Sequence, residues 1–158
     1  MNSHHTVAIG TWEGDKQQSI EYNSSIAVGI DCPRAKLRVS ILLDTMQEYQ
    51  VRYIFSDEEI SEAVNEAGLI IGARGIAYEG VLQRKPVIVV GEYGFGGLVT
   101  PDTLHEQYNN YFRGKINGIK AEYFSLERLE EEIRRGFALT FQELQMMSNQ
   151  TIRFLHNI

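Results

Sequence analysis

A chain of 158 residues with 43% hydrophobic content has the size of one ordinary domain and can bury a core. Its net charge of −6, with Lys and Arg scattered along the chain, argues against a nucleic-acid surface, which depends on clustered positive charge. One cysteine, Cys32, excludes an internal disulfide and fits a reducing cytosolic setting, and no apolar run reaches the ~18 residues of a membrane span.

Short β-rich runs alternate with helical stretches, which predicts an α/β fold over residues 1–158: a Rossmann-like, three-layer domain with a mostly parallel sheet and a long C-terminal helix. TVAIGT (6–11) is the first predicted strand. SIAVGI (25–30) and KLRVSILL (36–43) are each compatible with strand or helix. VRYIF (51–55) reads as a strand, and Ser56 followed by Glu59 has the spacing of a capping box. Ile60, Ala63, Val64 and Ala67 then share one helical face, which predicts a helix over 57–67 lying on the sheet.

GLIIG (68–72) and PVIVVG (86–91) are continuous apolar runs, as expected of strands buried on both faces, with a crossover helix over 75–84 between them. Thr100 and Pro101 read as the opening of a further helix. AEYF (121–124) reads as a short edge strand. Ser125 begins a helix with Leu126, Leu129, Ile133 and Phe137 on one face, which Gly136 bends or interrupts before the chain continues helically to its end. The run LERLEEEIRR reads as a solvated face with Glu and Arg paired at helical spacing.

Two glycine clusters follow the two apolar strands: Gly72, Arg74 and Gly75 behind the first, and Gly94, Gly96 and Gly97, with Tyr93 and Phe95 among them, behind the second. In a doubly wound sheet ligands sit beyond the carboxyl ends of the strands, where both clusters would lie. The first N–H groups of the crossover helix have no partner within it, so a phosphate placed there would accept them, and Arg74 would add a charged donor. Glu79, one turn into that helix, could accept from a ribose hydroxyl. Tyr93 and Phe95 read as rings beside mobile backbone that could stack on a sugar or base.

The stretch AGLIIGARGIAYEGVLQRKPVIVVGEYGFGGLVTP resembles the C-terminal, nucleotide-sugar-binding half of the two-Rossmann-domain (GT-B) glycosyltransferases. The likeness runs from about Asp57 to Pro101 and extends toward the C-terminal helix, with little over residues 12–50. It implies a domain that binds a nucleotide diphosphate sugar as donor substrate, without a further cofactor. Glu79 matches the carboxylate that holds the ribose, Gly72, Arg74 and Gly75 the turn near the diphosphate, and Gly94, Phe95, Gly96 and Gly97 the loop beside the donor sugar. Gly10 resembles the glycine after the first strand of this half, with Lys16 as a basic residue behind it. Thr11 stands where many relatives place an arginine, and Ile71 where some retaining members carry a second acid.

The family's acceptor site, and commonly its catalytic base, belong to an N-terminal Rossmann domain for which 158 residues leave no room. The partners this implies are a nucleotide sugar and an acceptor domain or chain, or a second copy. A non-catalytic interaction module that docks through an apolar face of the C-terminal helix, and half of a sugar-nucleotide epimerase, are the alternatives. No residue is assigned as catalytic. The histidines, His4, His5, His105 and His156, show no metal-ligand spacing beyond the adjacent pair, and no P-loop motif occurs.

Overall fold

A computed structural model describes residues 4–13, 16–115, 119–120 and 123–156, with side chains from Asn23 onward. The fold is α/β. Five strands form one sheet in the order β4-β3-β5-β6-β7, namely Gln50–Tyr53, Ser25–Gly29, Leu69–Gly72, Val87–Gly91 and Gly94–Leu98. All neighbours are parallel except β7, which returns antiparallel to β6. Among the described residues no helix is long and apolar enough to cross a membrane.

The layers follow from alternation along the strands. Leu69, Ile71, Ile88 and Val90 point to one face and pack with α1 (Pro33–Asp44) and α5 (Leu126–Phe137). Ile70, Val87 and Val89 point to the other and pack with α2 (Ile60–Glu66), α3 (Gly75–Leu82), α4 (Leu104–Asn109) and α6 (Phe141–His156). Both central strands are therefore buried on both sides, as their unbroken apolar runs predict. The ambiguous segments resolve as strand β3 and helix α1, whose Ala35, Val39, Leu42 and Leu43 recur at helical spacing on the buried face.

Several expectations change. The first run is not a strand of the parallel sheet: β1 (His4–Glu13) pairs antiparallel with β2 (Lys16–Asn23) in a separate two-stranded sheet. Gly10 and Thr11 fall between the pairs Ile9 with Gln18 and Trp12 with Gln17, so they form a bulge within β1 and do not follow a strand end. The second glycine cluster is not a loop but the hairpin strand β7, since Gly91 pairs with Gly94 across a two-residue turn and Gly96 is its bulge.

Further on, α4 starts at Leu104, after a turn in which Thr100 N–H donates to Thr103 Oγ1 (2.8 Å) and Thr103 Oγ1 donates to Leu98 O (3.2 Å). In the segment read as an edge strand, Ala121 and Glu122 lie outside the described residues, and Tyr123 and Phe124 are not strand. Helix α5 ends one residue after Gly136. Glu132 lies on its buried face, only 2% exposed, so the acidic run is not wholly a solvated surface.

Candidate functional site

The strand order locates the site. From β3 the chain crosses through α1 on one face to β4, then returns through α2 on the other face to β5, so the order reverses between β3 and β5. A crevice opens at such a reversal beyond the carboxyl ends of the strands. Here it is a cleft of about 610 Å³. Gly29, Asp31 and Cys32 behind β3, Phe55, Ser56 and Asp57 behind β4, Ala73, Arg74 and Gly75 behind β5, and Gly91 and Glu92 behind β6 all line it.

Its floor depends on close packing. A Cβ on Gly72 would lie 2.4 Å from Gly29 O and 2.6 Å from Ile76 Cγ2, so only glycine lets α3 settle directly on β3 and β5. Arg74, the N-cap of α3, is held at φ 55° and ψ −125°, a conformation that side chains with a Cβ rarely adopt. The surroundings enforce it. Ala73 N–H donates to Gly29 O (3.3 Å), and Arg74 N–H donates to Phe112 O (2.9 Å).

The opposite wall comes from the loop behind α4. Tyr111 (φ 61°) and Phe112 (φ 53°) turn the chain sharply, sending the Phe112 ring into the core and Arg113 to the cleft. Arg113 is well anchored: Nη1 donates to Tyr93 Oη (2.6 Å), the guanidinium lies 5.2 Å from the Tyr93 ring centre and 5.1 Å from that of Tyr111, and Arg113 O accepts from Tyr93 N–H (2.9 Å). Glu92 stands between the two arginines, with Arg74 Nη2 at 2.5 Å and Arg113 Nε at 3.7 Å from its Oε1. The Arg74 hydrogen bond is the largest cause of Glu92 titrating below its ordinary range, and it likewise raises the Arg74 guanidinium.

The β4 edge is organised by Glu59. Its Oε2 accepts from Phe55 N–H, Ser56 N–H and Ser56 Oγ, each at 3.1 Å, which realises the glutamate half of the expected capping box. The Phe55 ring is left 75% exposed at the cleft, with Lys36 Nζ 4.2 Å from its centre. Chemically, the cleft combines two guanidinium groups and a helix start, which bind anions, with carboxylates that accept hydroxyl donors and a ring available for stacking. Among the described residues no group of three or more His, Cys, Asp and Glu side chains is placed to hold a metal.

No protein-family model matches the chain, and neither a curated protein nor a solved structure matches it. Arg74 and Gly75 line the cleft and Gly72 shapes its floor. Glu79 does not line it: one turn further down α3, its Oε1 accepts from Gln83 Nε2 (3.0 Å), and Gln83 also donates to Ser61 O (3.2 Å). Through Gln83, Glu79 is tied toward Ser61 of α2. Phe95 is core, 4% exposed and 4.7 Å from the Phe124 ring.

Gly94, Gly96 and Gly97 belong to β7, where an added Cβ would meet Ile119 O, Gln107 Oε1 and Glu132 Oε1 respectively. Gly10 and Thr11 sit in β1, and the side chains of Thr11 and Lys16 lie outside the described residues. Asp31, Phe55, Asp57, Glu92 and Arg113 are among the cleft residues that the sequence reading missed. Asp31 and Glu92 each sit within two residues of a strand end, which is a usable signal. Arg113 has none, because it arrives through a chain reversal behind a different helix.

Proposed function

We propose that this chain is the donor-binding unit of a glycosyl transfer reaction, holding a nucleotide diphosphate sugar in the crevice between β3 and β5. The carrying observation is the convergence of Arg74 and Arg113 at the start of α3, where the strand order reverses. In this reading the diphosphate takes the two guanidinium groups and the first amides of α3. Asp31, in the exposed loop behind β3, takes the ribose-binding role that the family resemblance gives to Glu79, and Phe55 offers its face to the base. Transfer itself needs an acceptor site that also excludes water from the sugar, so the role assigned here is donor capture.

A thermal-shift titration with uridine, guanosine and thymidine diphosphate sugars tests this. At least one should raise the melting temperature at millimolar concentration, as a ligand selective for the folded state must. Arg74→Ala should abolish the shift and Glu79→Ala should leave it intact. Absence of any shift across the three nucleotides, or loss of the shift in Glu79→Ala alone, counts against the proposal.

A further inference from the structure

The point on which both arginines converge is already taken. Glu92 Oε1 receives Arg74 from the turn behind β5 and Arg113 from the loop behind α4. Two guanidinium groups from separate segments closing on one anionic oxygen, inside a cleft and beside a helix start, is the contact set that a phosphate oxygen makes. We propose that Glu92 is an internal substitute for the ligand's phosphate, occupying the anion subsite until an incoming phosphate exchanges with it. This inference rests on the reading of the cleft as a phosphate site.

Three observations support exchange over a fixed structural pair. Glu92 lies in the two-residue turn between β6 and β7 with its side chain 45% exposed, so it can swing into solvent without moving a strand. Arg113 stays in place when it does, since Tyr93 and Tyr111 hold its guanidinium independently of Glu92. The charge count also changes in the needed direction. Among the lining groups Asp31, Asp57 and Glu92 set three carboxylates against two arginines, with Lys36 nearby over Phe55, so removing Glu92 shifts the cleft toward positive charge.

The exchange discriminates among ligands. A single carboxylate offers the arginines only what Glu92 already offers, whereas adjacent phosphates can engage Arg74, Arg113 and the α3 amides together. Glu92 thus lowers affinity for anions in general and favours the diphosphate class.

Calorimetric titration of the full chain with inorganic pyrophosphate decides the matter, comparing wild type with Glu92→Gln, with Glu92→Ala replacing it should the first variant not fold. Tighter binding by the variant, by about fivefold as expected for release of one exposed ion pair, is the predicted result. It holds equally if wild-type binding is too weak to detect and the variant's is not. Equal or weaker binding by a folded variant, with wild type still binding, overturns the exchange and leaves the phosphate site standing. Absence of pyrophosphate binding by wild type and folded variant alike overturns both.

Discussion

At the scale of single residues, the site is built by positions that run against ordinary backbone preference. Arg74 carries a long side chain at φ 55° and ψ −125°, where glycine would be more comfortable. Replacing it with glycine should therefore raise the melting temperature by about 2–4 °C while removing ligand-induced stabilisation, a separation of stability from binding that thermal unfolding with and without donor can read. A strained residue that is retained only for packing would show no such split. Gly72 tests the floor in the opposite sense. Its absent Cβ leaves room for Gly29 O and Ile76, and Gly72→Ala should cost about 2 kcal/mol in denaturant unfolding because backbone cannot move aside as a flexible side chain can.

At the scale of elements, caps and one buried carboxylate set the boundaries. Glu59 titrates below its ordinary 4.5, chiefly through the Phe55 N–H and then the Ser56 hydroxyl. Because the folded value is depressed, ionised Glu59 stabilises the fold above the unfolded value, and the contribution is lost as pH falls through the folded one. The melting temperature of Glu59→Gln should thus lie below wild type at neutral pH, and the gap should close as the pH falls through the depressed folded value. A gap that persists in acid would mean that the cap acts only through shape.

In α5, Glu132 accepts from Leu98 N–H (3.4 Å) and pairs with Arg128 and Arg135. Both arginines are half exposed, so their pairing is discounted, and Glu132→Ala should cost about 2 kcal/mol in urea unfolding, mainly from the stranded N–H and lost packing. The acidic run reads as a solvated face, yet Glu132 lies three residues after Leu129 and four before Gly136, a spacing that puts it on the inward face. Strong apolar runs, the Ser56 to Glu59 box and the Ser125 cap were readable, because each expresses local chemistry. Ser125 Oγ does accept from Arg128 N–H. The start of α6 carried the same signal in Thr140 and Glu143, which cap each other reciprocally. Segments of mixed pattern such as 25–30 and 36–43 were undecided because tertiary pairing, which periodicity does not contain, settles them.

At the scale of the whole molecule, among the described residues β1 and β2 form a separate two-stranded sheet and pair with no strand of the five-stranded sheet. A chain starting at Asn23 should therefore still unfold cooperatively, with circular dichroism reporting a single transition; a non-cooperative melt would show that the hairpin is part of the folding unit. The candidate site was half legible at this scale. A turn behind each central strand is local, so Arg74 and Gly75 were found. Arg113 was not, because it reaches the cleft only through the fold, and Phe95 misled because glycines that suggest a mobile loop here serve a bulged edge strand.

The most direct measurement is amide chemical-shift mapping of the intact chain titrated with a nucleotide diphosphate sugar. The expected result is saturable shifts gathered at Asp31, Ala73, Arg74, Gly75, Glu92 and Arg113, with β1, β2 and the Glu79 side of α3 unaffected. Saturable shifts centred elsewhere, or none at millimolar ligand, would contradict a donor site between β3 and β5.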